Sequence, residues 1–147
     1  PAKRWPAGRF EAVAALFQTQ NGADIVIVGT AAEAGLAEEI TSGLGRKPID
    51  LTGRTGLRDL AAVLSLASLV VANDSGPLQL ANAMGIPVVA AFGPSDPAVT
   101  GPARQPATIV MKKAPCWPCQ YPECPYDHRC MTAVEPADVY EAGRRFL

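Results

Sequence analysis

Histidine is almost missing: His128 is alone among 147 residues. With no second histidine and no Ser/His/Asp set around it, nothing argues for a hydrolase built on a histidine base. Charge is sparse too, at 18% of residues, with 13 basic and 14 acidic side chains and a net charge of −1. No basic cluster offers the footprint that nucleic acid needs, so no nucleic-acid partner is expected. No apolar stretch is long enough to span a bilayer, and the longest one is interrupted by Asn73, Asp74 and Gly76. Pro1 does not open a secretory leader, and the expected compartment is the cytoplasm. Internal repeats and low-complexity tracts are absent. Cysteine is missing everywhere except between Cys116 and Cys130.

What is present is a fairly hydrophobic chain, 48% apolar and large enough for one domain with its own core. The stretch from Leu69 to Pro94 organises it. Leu69 to Ala72 predicts a short buried strand. Asn73, Asp74 and Ser75 are helix N-cap residues, and Pro77 suits a first helical turn because its missing N–H is not needed there. Gly85 closes that helix, and Val88 to Phe92 has the β-branched and aromatic content of a buried parallel strand. A strand running into a glycine-containing turn and a helix N-terminus makes an anion site. Ser75 and Gly76 are its first candidates, with capping of the helix by Asp74 or Ser75 as the alternative.

Elsewhere helices and strands alternate. Helices are expected from Pro6 to about Gln20, Ala32 to Ser42, Leu57 to Ala67 and onward from Pro136. Strands are expected at Ile25–Val28, Ile49–Leu51 and Thr108–Met111. The helix at Leu57 should bury Leu57, Leu60, Ala61, Leu64 and Ala67. This order predicts an α/β fold, a Rossmann-like doubly wound parallel sheet with helices on both faces. Ligands of such sheets bind beyond the carboxyl ends of the strands, so loops 29–33, 52–56, 73–77 and 93–101 should share one rim. The chain opens in a loop and a helix with no strand ahead of them, which suggests a domain truncated at its N-terminus.

The cysteines follow the pattern C-x2-C-x4-C-x5-C, with His128 in the last gap, inside a proline-rich loop at 114–132. Cys116, Cys119, Cys124 and Cys130 are candidates for a tetrahedral zinc site, with iron–sulfur ligation a weaker option. A packed loop of reduced thiols is the competing reading.

Asp74-Ser75-Gly76-Pro77, Leu80-Ala81, Ala83-Met84-Gly85-Ile86-Pro87, Phe92-Gly93-Pro94-Ser95-Asp96-Pro97 and Thr100-Gly101-Pro102 resemble the C-terminal domain of the lipopolysaccharide heptosyltransferases, glycosyltransferase family 9. Lys3-Arg4-Trp5-Pro6 resembles the lysine-Trp-Pro segment at the start of that domain, and the cysteine loop resembles a segment of many members. The resemblance implies the C-terminal half of a GT-B glycosyltransferase, with residues 1–147 binding the nucleotide sugar (ADP-sugar) donor. It also implies a lipid-linked saccharide acceptor and a catalytic base in a separate N-terminal domain. Peripheral membrane association is an accompanying expectation. No cofactor or divalent cation is required.

On that resemblance Lys3 is a phosphate clamp, Ser75 and Gly76 contact the diphosphate, and Asp74 either caps the helix or accepts from sugar hydroxyls. Glu33 would accept from the ribose hydroxyls or else complement a helix dipole. Thr55 would lie against the base through its backbone. Gln79 departs from the family, which commonly has histidine there; glutamine donates hydrogen bonds but carries no charge. A rival reading is a non-catalytic Rossmann-like module whose cysteine loop holds a structural metal. An epimerase of the same fold would need carboxylate pairs that are not assignable here.

Overall fold

A computed structural model describes residues 1–119 and 121–147; Gln120, within the expected cysteine loop, lies outside the described residues. The elements follow as α1 (Ala7–Asn21), β1 (Val26–Ile27), α2 (Ala34–Ser42), β2 (Ile49–Asp50), α3 (Leu57–Ser65), β3 (Val70–Asn73), α4 (Gly76–Ala83), β4 (Val88–Phe92), α5 (Pro97–Thr100), β5 (Ala107–Met111), α6 (Arg129–Thr132) and α7 (Pro136–Gly143). All strand pairs are parallel, as helical crossovers require.

β4 is the centre of the domain. Its five residues are all fully buried, and it pairs with β3 from Val70↔Val88 to Asn73↔Ala91 and with β5 from Val88↔Ala107 to Phe92↔Met111. Because side chains alternate along a strand, it feeds two separate cores. Val89 and Ala91 face one side, where they join Trp5, Val13, Phe17, Met131, Val134 and Val139. Val88, Ala90 and Phe92 face the other, with Leu64, Leu78, Ala81 and Ile86 from α3, α4 and the turn after it. The sheet is thus covered on both faces, which is why β4 reads as an unbroken apolar run.

The expected single sheet is divided. Among the described residues β1 and β2 form a two-stranded sheet apart from the three-stranded β3–β4–β5. Both outlying strands are two residues long, and Val26 and Ile49, which pair with each other, are exposed. Too little apolar surface is buried there to extend the ladder. Leu57 also departs from expectation: it is 75% exposed at the first position of α3, while Leu64 carries that helix into the core. Two short helices, α5 and α6, fall below the length at which apolar periodicity is visible. Asp96-Pro97 nevertheless marks the start of α5, where the Asp96 carboxylate accepts from the Ala98 N–H at 2.9 Å.

Candidate functional site

The turns after β3 and β4 leave the same end of a parallel sheet. The N-terminal segment is drawn across that end by its own chemistry. Trp5 is fully buried, donating its indole N–H to the Val134 carbonyl at 3.0 Å and packing edge-on to Phe10. Its backbone N–H donates to Asn73 Oδ1 at 3.0 Å, on the last residue of β3. Lys3 is thereby brought to Asp74, with Nζ 2.6 Å from Oδ2. Thr100, at the end of α5, donates to the same oxygen at 3.0 Å, and Gln79 Nε2 donates to the Thr100 carbonyl at 2.8 Å. Lys3, Asp74, Thr100 and Gln79 therefore form one continuous chain of polar contacts.

Burial pushes the Asp74 carboxyl up, but the hydrogen bonds and charge around it outweigh this. Lys3, Ser95 and Thr100 together hold it below the usual aspartate range. The Ser95 hydroxyl sits beside the carboxylate, yet its Oγ makes no hydrogen bond of normal geometry and is buried without a partner. Lys3 remains half-exposed, so its ammonium is reachable from solvent while held over Asp74.

Next to this pair lies the N-terminus of α4. Ser75 is its N-cap in an extended conformation, and its side chain makes no cap bond. Since Asp74 Oδ2 is taken by Lys3 and Thr100, the expectation that either residue merely caps the helix fails. The helix N-terminus is left without a side-chain cap, and its dipole favours an anion. Gly76 opens the helix, and a Cβ there would meet no atom within 4 Å. The fold itself does not require glycine at this position.

The other two loops join the rim through Arg4 and Gly53. Arg4 reaches Glu33, Nη2 to Oε1 at 3.9 Å, so neighbouring residues Lys3 and Arg4 contact acidic groups on two different loops. Glu33 accepts from both the backbone N–H and the hydroxyl of Thr30 at 2.8 Å, while its own N–H donates to the Thr30 carbonyl at 2.9 Å. Those bonds, the backbone one foremost, hold its carboxyl below the usual range, and Arg4 adds to this. Oε2 is committed to the loop, whereas Oε1 faces outward to Arg4. Gly53 donates to the Gly29 carbonyl at 2.9 Å and adopts a left-handed φ of +71° against Ala31, where a Cβ would fall 2.9 Å from the Ala31 Cα. Half-buried Thr55 lies two residues on, in the same stitched pair of loops. These contacts bring together Lys3, Asp74 and Gln79, with Ser75 and Gly76 following Asp74 in the chain, and Arg4 links this group to Glu33. Thr55 follows Gly53 in the adjoining loop and makes no hydrogen bond or ion pair to the others among the described residues. Arg4 and Thr100 were not named as site residues, although the loop 93–101 expected at the rim and the Thr100-Gly101-Pro102 motif both include the latter.

The cysteines lie outside that chain of contacts. Cys116, Cys119, Cys124 and Cys130 are free thiols that line, with Ala2, Pro94, Trp117, Tyr126 and His128, a cavity of roughly one water's size. Burial, reinforced by the neighbouring thiols, pushes Cys130 up, so it favours the protonated form. Among the described residues no three His, Cys, Asp or Glu side chains are arranged to hold a metal ion. The four thiols converge on this one cavity.

A parallel sheet covered by helices on both faces, with an uncapped helix N-terminus at its rim, defines a Rossmann-like α/β domain. The chain matches the family described as glycosyltransferase family 9 (heptosyltransferase) over residues 1–129 and belongs to it. It is 34% identical over 152 aligned residues to the lipooligosaccharide heptosyltransferase 2 of Campylobacter jejuni serotype O:2, covering 99% of this chain and 47% of that protein. Among solved structures it resembles the E. coli ADP-heptose lps heptosyltransferase II, with a TM-score of 0.80, 27% identity, and coverage of 97% of this chain and 41% of that one. A glycosyl transferase family 9 protein from Veillonella parvula gives a TM-score of 0.81 at 27% identity, covering 99% of this chain and 42% of that one. The chain spans about half the length of the curated relatives it matches.

Proposed function

We propose that the chain is the donor-binding domain of an inverting glycosyltransferase that moves heptose or a related sugar from ADP to an acceptor of the lipopolysaccharide-core type. The observation that carries this reading is the Lys3–Asp74 pair lying beside the uncapped N-terminus of α4. A diphosphate placed there meets the Lys3 ammonium and the Gly76 N–H, with no side chain at Gly76 to hold it off. As the bond from sugar to phosphate breaks, negative charge grows on the leaving ADP. Lys3 then follows that charge, because a flexible point cation gains most where charge accumulates. No divalent cation is needed for this step.

In this reading Glu33 Oε1 accepts from ribose hydroxyls at the neighbouring loop, and the backbone at Thr55 flanks the base. Asp74, held below the usual aspartate range by its donors, accepts from hydroxyls of the donor sugar in the same reading. Gln79 contributes through Thr100 rather than as a cation, so charge stabilisation rests on Lys3 and backbone amides. The base that activates the acceptor, and the surface that holds a lipid-linked saccharide at the cytoplasmic face of a membrane, belong to a second domain in this reading. No helix among the described residues is long and apolar enough to cross a membrane. Residues 1–147 alone should bind donor without transferring sugar.

Calorimetric titration with ADP and adenosine tests the assignment. ADP should bind more tightly, and Lys3→Ala and Gly76→Val should each abolish that preference. Equal affinity for the two ligands would refute the site.

A further inference from the structure

The cysteine loop grips both walls of this rim. On one side it holds both backbone groups of Ala2: the Ala2 N–H donates to the Pro122 carbonyl at 3.0 Å, and its carbonyl accepts from His128 Nε2–H at 2.7 Å. Ala2 is buried, and the residue after it is Lys3. On the other side the loop holds the turn after β4. Cys119 donates its N–H to the Pro94 carbonyl at 2.9 Å, and the Trp117 indole N–H donates to the Ser95 carbonyl at 3.2 Å. Cys130 and Met131 pack onto Gly93 so closely that no Cβ fits there. That turn leads into α5 and so to Thr100. Both donors to Asp74 Oδ2, Lys3 and Thr100, therefore hang from segments tied to one loop.

His128 is where the grip on Lys3 is made. It is the one non-glycine residue with positive φ among the described residues, at +57°, and it forms the N-cap of α6 without a side-chain cap bond. A left-handed conformation is uncommon for a residue with a side chain and persists where the surroundings over-determine it. Here it frees the imidazole from its own helix and lets it reach Ala2, 126 positions away in sequence.

From this geometry we infer that His128 is a positioning residue for the donor phosphates. Acting through the Ala2 carbonyl, it holds Lys3 level with Asp74 and the N-terminus of α4. The inference rests on the reading of Lys3 as a phosphate contact. Loss of the imidazole releases one of the two hydrogen bonds that hold Ala2, the residue before Lys3, so the ammonium no longer starts in place. The diphosphate contact weakens, and the contacts to base and ribose do not.

The test compares ADP with adenosine by calorimetry on the unmodified protein and on His128→Ala, His128→Asn, Lys3→Ala and the Lys3→Ala/His128→Ala double variant. His128→Ala should weaken ADP about threefold to tenfold, the range of one lost hydrogen bond, and leave adenosine unchanged. His128→Asn, which tolerates the left-handed region and keeps an N–H donor, should recover part of the loss. With Lys3 already removed, His128→Ala should have no further effect on the ratio of the two affinities. Equal weakening of both ligands, an additive effect without Lys3, or an unchanged ADP affinity would each overturn the inference. Should His128→Ala fail to fold, His128→Asn carries the same comparison: a loss confined to ADP supports the role, and a shared loss overturns it. If the unmodified protein shows no preference for ADP, the donor-site reading fails instead, before any substitution at position 128 is considered.

Discussion

The two sheets of this domain are built to different standards. Along β4 every residue is fully buried, its neighbours β3 and β5 are half-buried and helices cover both faces, whereas β1 and β2 contribute two residues each and leave Val26 and Ile49 exposed. The rim draws on both: Asp74, Ser75 and Gly76 stand on the packed sheet, while Glu33 and Thr55 stand on the thin one. Lys3 and Arg4 join them, one reaching each half. A site divided this way keeps its proposed anion-binding part on the more deeply packed base. Its other wall sits on elements with little burial to hold them, which are the kind that open locally at low cost.

Substitutions at matched strand positions test this difference most strongly. Phe92→Ala removes a fully buried ring between α3, α4 and β5 and should cost about 3–5 kcal/mol, read as a drop in the urea midpoint at unchanged slope. A similar cost for a change in β1 or β2 would erase the contrast.

Acid titration offers a subtler probe. Both Asp74 and Glu33 have folded pKa values below their ordinary ones. Each therefore adds stability that is fully present above the ordinary carboxylate range and is lost as pH falls through the folded value. Asp74→Asn should destabilise the protein at neutral pH, with the difference from the parent shrinking as the medium becomes strongly acidic. Glu33→Gln, at a more exposed carboxylate on the thin half, should show the same trend at smaller amplitude. Stability curves from urea unfolding across the acid range check both, and a larger effect at Glu33 would reverse the ranking of the halves.

The smallest effect is expected at Ile49→Ser, which replaces a side chain that is 56% exposed on β2 and should change stability by no more than about 0.5 kcal/mol. Thermal unfolding checks it.

The packed half was largely legible in the sequence. Val88–Phe92 is a strand at the expected residues, and the helix after Ser75 starts within one residue of its expected position. Local signals, a β-branched run and an N-cap followed by proline, coincide there with what the tertiary structure needs. Where burial is thin the reading slipped: the strands around Val26 and Ile49 shorten to two residues, and Leu57 turns outward because the first turn of α3 has nothing above it to pack on. The rim was foreseen as four loops, but not its wiring. Lys3 and Asp74 are 71 positions apart, and no local pattern records that Trp5 anchors the segment which joins them. The cysteine spacing suggested ligands, whereas the loop's contacts run through backbone groups and His128 to the chain's first residues, which thiol spacing does not encode.

Gly76 carries a last consequence. Since the space beside its Cα is open, and a Cβ at the first position of α4 meets no atom within 4 Å, folding places little steric demand on this residue. Any pressure to keep it glycine must come from whatever approaches from outside. A variant there would pass through expression, folding and degradation as the parent does, and its defect would surface only in the presence of ligand. Position 76 is thus a point where recognition can drift, or be redesigned, without the stability of the chain registering the change.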